Sequence, residues 1–245
     1  MGKHIESLKK TLNILDLFLS YDRLGVTEIS NITSYPTSTV HRILETLEST
    51  GYVYKSINTN KYKLGSKLYY LGKHTDLSKN IIDKSKGLIE ALSKELLQTI
   101  SMSMLSSNQS IVIYKKDSVM KMGMVPRIGE KKSLHCSASG KILTAYSNNP
   151  ERIVEEIDFY PITENTITDK VEFMNEINKV KSSGFAIDNE EIELDLYCLA
   201  VPIFNSVGEL VCSLSISGLK SRMLENIDSI RLRLLQTAGE ISNLI

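Results

Sequence analysis

The chain has 245 residues, 29 Lys/Arg against 29 Asp/Glu, and three cysteines. That length is one large or two ordinary domains, and 42% hydrophobic residues are enough for a packed core, which excludes a disordered chain. Three cysteines with no CxxC pair exclude a disulfide framework, and no apolar run approaches the roughly 20 residues of a bilayer span. The expectation is therefore a soluble cytoplasmic protein that does not engage a membrane. Near the N-terminus, Lys3, Lys9 and Lys10 stand among spaced apolar residues, which is not a signal peptide. The neutral total hides an asymmetry: residues 1–75 hold ten Lys/Arg against six Asp/Glu, and the remainder nineteen against twenty-three. A basic head on an acidic body suits a head that meets phosphates.

Leu8, Leu12, Leu15 and Leu19 share one helical face, which predicts a first helix over 6–20. Thr27 opens a brief second helix ending near Ile32, and a turn through Thr33-Ser34-Tyr35-Pro36 leads to a third that runs to Gly51. There Val40, Ile43, Leu44 and Leu47 form an apolar stripe, and Thr37, Ser38, Thr39, His41, Arg42 and Thr46 form the opposite polar face. Gly51 stands where a left-handed residue ends the helix. Residues 52–56 and 61–64 then alternate around Asn58-Thr59-Asn60 as a β-hairpin. A helix sized for a major groove, followed by a lysine-bearing hairpin, is a winged helix-turn-helix.

The candidate DNA-contacting residues are Thr27, Tyr35, Thr37, Ser38, Thr39, His41 and Arg42, with Lys55, Lys61 and Lys63 on the wing. Arg42 alone has the fork to grip guanine O6 and N7, a contact worth about 1–3 kcal/mol of discrimination. Contact with phosphate, or pairing with Glu45, are the alternatives for it. The hydroxyls of Ser38 and Thr39 suit phosphates at a helix N-terminus. A winged helix that binds protein rather than DNA is the competing reading of the same face.

A helical pattern begins at Gly65, breaks around 72–78, and resumes over 80–98. This divides the chain into a head at 1–65, a linker helix at 66–78 and a body at 79–245. In the body, 99–105, 111–116 and 119–125 read as strands. A loop with Pro126 and Gly129 leads to Ser133-Leu-His-Cys-Ser-Ala-Ser-Gly-Lys141, which opens a helix running to Tyr146. Residues 150–157 and 169–182 read as helices, 184–189, 198–204 and 210–217 as strands, and a closing helix reaches Ile245. Strands in hairpins with helices grouped between them predict an α+β domain with an antiparallel sheet.

These residues resemble the IclR-type bacterial transcriptional regulators over essentially the whole chain. The resemblance is carried in the head by Pro36-Thr-Ser-Thr-Val-His-Arg-Ile-Leu-Glu-Thr-Leu47 with Gly51-Tyr-Val. In the body it is carried by Leu134-His-Cys-Ser-Ala-Ser-Gly-Lys141, Gly184-Phe-Ala-Ile-Asp-Asn-Glu-Glu191, Cys198-Leu-Ala-Val-Pro202 and Leu214-Ser-Ile-Ser-Gly218. It implies a GAF-like effector domain, a homodimer or dimer of dimers, double-stranded operator DNA as partner, and control by a small molecule such as a carboxylate or sugar acid. It also implies that Ala138, Ser139, Asp188, Cys198 and Ser215 line the effector pocket. Where the family commonly has Gly before its Cys-Ile-Ala run, this chain reads Glu193-Leu-Asp195-Leu-Tyr-Cys198.

The residues themselves add that Ser137-Ala138-Ser139-Gly140 enters a helix, whose free N–H groups and partial positive charge favour a carboxylate. Met122 and Met124 alternate on a predicted strand and would form an adaptable apolar wall. Asp188 equally fits a turn cap, Cys198 a buried core position, and the two methionines ordinary packing. A zinc or redox sensor built from His135, Cys136, Cys198 and Cys212 is the alternative function, although the thiols lack ligand spacing. An enzyme is the remote one: adjacent His135 and Cys136 on an extended segment point to opposite faces, and Gly140-Lys141 lacks the rest of a P-loop. No cofactor and no metal are expected.

Overall fold

The computed structural model describes residues 5–56, 59–73, 81–118 and 127–245. The chain divides into two compact units, Met1–Lys79 and Asn80–Ile245.

The first unit holds α1 (Glu6–Leu17), α2 (Val26–Thr33), α3 (Thr37–Ser49), the hairpin β1 (Val53–Lys55) and β2 (Tyr62–Leu64), and α4 (Ser66–Lys73). Its core is Ile14, Phe18, Leu24, Ile29, Val40, Leu44, Leu47, Val53 and Tyr62. Three members of the stripe expected on α3, Val40, Leu44 and Leu47, are buried, and Ile43 is half-buried. Gly51 takes φ 79°, the left-handed conformation that glycine adopts without Cβ strain. Tyr62 ties the hairpin back, exchanging backbone hydrogen bonds with Leu24. The first helix stops at Leu17 rather than Ser20, because Leu19 and Ser20 donate to carbonyls only three residues back and Phe18 turns into the core. Helix α4 ends at Lys73; the remainder of the expected linker, to 78, lies outside the described residues.

The second unit is an antiparallel six-stranded sheet with helices on both faces. Its strands are β3 (Thr99–Ser106), β4 (Gln109–Lys116), β5 (Lys131–Ser133), β6 (Ala186–Asn189), β7 (Leu196–Phe204) and β8 (Leu210–Leu219), in the order β5-β4-β3-β8-β7-β6. One face packs Ile100, Met102, Leu199, Val201, Leu214 and Ile216 against α5 (Ile81–Leu96) and, past α9 (Lys220–Glu225), α10 (Ile227–Ser242). The other face is covered by α6 (Ala138–Ala145), α7 (Pro150–Glu156) and α8 (Lys170–Ser183), with Ile142, Leu143, Phe173 and Ile177 in the core.

Two expectations are corrected here. The loop expected before Ser133 contains β5, whose Lys-Lys-Ser has no strand preference of its own and is held by pairing to β4. Helix α6 starts at Ala138, within the expected entry Ser137-Ala138-Ser139-Gly140: Ser137 is its N-cap and accepts from the Gly140 N–H. The closing helix is two helices, broken at Asn226 where φ is −133°. The strand expected over 119–125 lies outside the described residues.

Candidate functional site

In the first unit, α3 turns Thr37, Ser38, His41 and Arg42 to solvent, with Thr39 half-buried. Pro36 precedes the helix, and its carbonyl accepts from the Thr39 and Val40 N–H groups. His41 Nδ1, rather than Arg42, approaches Glu45, at 3.3 Å. Arg42 instead lines a cleft with Thr39, Ile43 and Thr46 against Lys10 and Thr11 of α1.

Two other expected contacts are partly committed inside the unit. Lys61 Nζ lies 2.6 Å from Glu28 Oε1, while Glu28 Oε2 accepts from the Gly25 N–H at the start of α2. These two hydrogen bonds hold the Glu28 carboxyl below its ordinary range. Tyr35 accepts a hydrogen bond from Asn13 on its hydroxyl, and its ring lies under Lys10. On the hairpin, Lys55 stacks over Tyr62 and Lys63 over Tyr54, so the two ammonium groups are steered by aromatic rings. Thr27 is exposed on α2.

In the second unit, strand alternation places serines on one face of the sheet. Ser101 and Ser103 of β3 sit opposite Ser215 and Ser213 of β8, and all four are buried. The Ser101 and Ser215 hydroxyls are 2.9 Å apart. Between this face and the start of α6 lies a cavity of about 40 Å³. Of the sequence-expected residues, Ser137, Ala138, Ser139, Asp188, Cys198 and Ser215 all line it. Met122 and Met124 lie outside the described residues. The sequence reading missed Lys132, Ser101, Ser103, Ser110 and Ser217 in the same lining. The signal for the serines was present: Ser alternates at 101 and 103 in β3 and at 213, 215 and 217 in β8.

Asp188 performs the turn-capping role and keeps an oxygen spare. Its Oδ1 accepts from the Glu191 N–H at 2.8 Å, while Oδ2 is buried with no hydrogen-bond partner. Burial raises its pKa, against the opposing pull of the Glu191 N–H and of Lys141 and Lys132. Behind it, the buried Lys141 ammonium lies 2.5 Å from Glu191 Oε1 and donates to the Ile187 carbonyl at 2.8 Å. Lys141 therefore fixes both ends of the segment that presents Asp188. The unusual Asp195 stands at φ 63° in the β6–β7 connection, which accounts for glycine being favoured there.

The zinc or redox alternative requires four side chains to converge, and they do not. Cys212 belongs to the core on the far face of the sheet, whereas Cys198 lines the cavity. His135 is buried and its Nε2 bonds the Tyr160 carbonyl at 3.0 Å. Because a carbonyl only accepts, Nε2 carries the proton and Nδ1 is a bare, unpartnered acceptor. Burial pushes the Cys136 thiol up to about 12 and raises Cys198 and Cys212 as well, so none is an activated thiolate. No group of three or more metal-ligating side chains occurs among the described residues, nor does a helix long and apolar enough to cross a membrane.

Comparison with known proteins bears on both units. The IclR helix-turn-helix domain matches residues 7–56, and the bacterial transcriptional regulator IclR C-terminal domain matches residues 74–243. The HTH-type transcriptional regulator KdgR of Dickeya chrysanthemi is 32% identical over 96% of this chain and 78% of its own length. The HTH-type transcriptional regulator XynR of Escherichia coli is 32% identical over 89% of this chain and 88% of its own. The crystal structure of the Thermotoga maritima IclR has a TM-score of 0.75 at 29% identity and covers 98% of each chain. These relatives are transcription regulators and not enzymes. With a helix-turn-helix head, a sheet-and-helix body and matches spanning both, the chain belongs to the IclR family of bacterial transcriptional regulators.

Proposed function

We propose that this regulator reads operator DNA through α3 and its wing, and that a small hydroxylated carboxylate in the serine-walled cavity controls the reading. The division of labour is a head over 1–65, a coupling segment over 66–78 that begins with α4, and an effector body over 79–245. The observation that carries the effector reading is the convergence of Ser137, Ala138, Ser139, Asp188, Cys198 and Ser215 on one cavity, whose other walls mix the serines of β3, β4 and β8 with Lys132 and the apolar Val112, Ile192 and Leu196. The Ser101, Ser213 and Ser215 hydroxyls already bond to one another or to strand carbonyls, and a hydroxyl has one donor and two acceptor lone pairs, so such a wall still offers hydrogen bonds to a polar guest. At α6, Ser137 Oγ already takes the Gly140 N–H, and the N–H groups of Ala138 and Ser139 at the helix start are the donors for a carboxylate.

The size of the cavity explains control. At about 40 Å³, against roughly 300–1,000 Å³ for a pocket that encloses a drug-sized ligand, it admits a sugar-sized acid only if its walls part. An effector that binds one arrangement of the walls better than another shifts the population between them. Two copies acting as a homodimer would place two heads on the half-sites of an operator in the cytoplasm.

In the head, Arg42 reads bases. The hydroxyls of Thr27, Thr37, Ser38 and Thr39, together with His41, Lys55 and Lys63, meet the backbone. Lys61 and Tyr35 chiefly hold the wing and turn in place.

The test is operator binding by fluorescence anisotropy with and without a panel of sugar acids. At least one acid is expected to change wild-type affinity, and Ser139→Trp, which sets an indole in the cavity lining, is expected to abolish that response while keeping DNA binding. An unchanged response in the Trp variant would remove the cavity from the mechanism.

A further inference from the structure

The feature of the cavity that the family motifs do not account for is Lys132. It sits on the edge strand β5 directly opposite Ser110, and since Ser110 is buried in the cavity wall, the pairing turns Lys132 onto the same face. Its side chain is only 22% exposed, yet its ammonium has no hydrogen-bond acceptor among the described residues. It approaches Glu130 Oε1 to 3.8 Å, the outer limit of an ion pair. The other Glu130 oxygen is occupied, accepting from the Arg127 N–H at 2.6 Å. A lysine serving only to fill an edge strand would extend into water. This one is held mostly out of water with only the distant Glu130 oxygen and the charge of Asp188 to offset its desolvation.

The opposite demand occurs in the same lining. Asp188 Oδ2 is an acceptor, fully buried and unpartnered. The same lining carries the hydroxyls of Ser101, Ser103, Ser110 and Ser215 beside the apolar Val112, Ile192 and Leu196. One molecule satisfies all three at once if it has a carboxylate at one end and hydroxyls along its length. A neutral sugar leaves the ammonium unmatched, and an aromatic acid without hydroxyls leaves Asp188 Oδ2 unmatched.

We propose that Lys132 is the specificity-determining residue of the cavity, its ammonium pairing the carboxylate of a short hydroxy acid while Asp188 Oδ2 accepts from a hydroxyl of the same molecule. This rests on the reading of the cavity as the effector site. The experiment is titration calorimetry of the full chain with D-gluconate, D-galacturonate and D-glucuronate, against the uncharged D-glucitol and D-galactose and the hydroxyl-free benzoate.

Wild type is expected to bind at least one sugar acid about tenfold or more tighter than the neutral sugars and benzoate. Lys132→Gln keeps the length and removes the charge. It is expected to weaken that acid by about 10- to 100-fold, the scale of one charge-assisted hydrogen bond, and to leave the neutral compounds unchanged. Lys132→Arg retains the preference for acid. If Lys132→Gln binds the acid as wild type does, Lys132 is not the counter-ion, and the cavity reading survives without it. If wild type binds none of the acids, the effector reading falls and the proposal with it. Should the Gln variant fail to fold, equal wild-type affinity for acid and neutral sugar overturns the proposal without it.

Discussion

Replacing Lys141 with Met is the most demanding test of the buried charge network behind the cavity. Lys141 is 1% exposed, and its ammonium holds Glu191 at 2.5 Å, the Ile187 carbonyl at 2.8 Å and Glu176 at 3.8 Å. Met matches the length of the stem but not the charge. Its introduction strands the Glu191 carboxylate, whose Oε2 is already without a partner, and leaves a buried carbonyl unpaired. Breaking a buried pair from one side costs about 3–5 kcal/mol, because the surviving ion stays desolvated. The loss should depend on pH. Burial already holds the Glu191 carboxyl above its ordinary range, with Lys141 as the main opposing influence. Without Lys141 its folded pKa rises further, so the folded state binds the proton more tightly than the unfolded chain. Stability then falls as pH rises from the unfolded value near 4.5 through the folded one. The variant is thus closest to wild type at pH 5 and furthest from it at pH 8. Urea unfolding followed by far-UV circular dichroism and tyrosine fluorescence measures this, since the chain has eleven Tyr and no Trp. The double variant Lys141→Met/Glu191→Leu should recover most of the loss, because two apolar partners leave nothing unpaired. A loss below about 1 kcal/mol at pH 8, or equal losses at both pH values, would refute the reasoning.

Gly140→Ala should destabilise the body by at least about 2 kcal/mol, because the new Cβ would lie 2.4 Å from the Leu134 carbonyl oxygen and 2.6 Å from its Cα, which are backbone and cannot swing away. An unchanged urea midpoint would disprove the close approach. His135, depressed by burial, must stay neutral to remain folded, whereas the unfolded chain takes up a proton near 6.5; stability therefore drops on acidification below that value. His135→Gln should flatten the melting-temperature slope between pH 7 and 5, and parallel slopes would count against the assignment. Arg42→Ala is expected to cost about 1–3 kcal/mol of operator affinity and relax sequence preference, whereas Lys63→Ala weakens all sequences alike and lowers the salt slope by about one. Anisotropy titrations over a range of salt separate the two, and an Arg42→Ala protein that discriminates sequences as before would remove the base contact.

The head was legible because local signals agree there. The 3.6-residue stripe of α3, the stop at Gly51 and the alternation of the hairpin each specify structure within a few residues, and the fold adds only their packing. Side-chain partners were less legible. Glu45 lies within one helical turn of both His41 and Arg42, and only the packed position of α3 beside the α1 cleft turned Arg42 away from it.

In the body, the residues at the start of α6 were readable from the cap itself, since Ser137 with small residues behind it announces a helix N-terminus. The remainder of the cavity was not. Ser at alternate positions of β3 and β8 describes a strand with one polar face, and in isolation that face belongs to solvent. Helices α6 to α8, distant in sequence, cover it and turn hydroxyls into a buried wall. β5 has no local reason to be a strand, and only its pairing with β4 aims Lys132 inward. Sequence alone determined most of the elements, the family and the local motifs, because each depends on neighbours a few residues apart, whereas β5 and the break at Asn226 do not. Tertiary structure decided which polar groups lose their water and which are left without partners, because desolvation depends on what the rest of the chain brings to the opposite side.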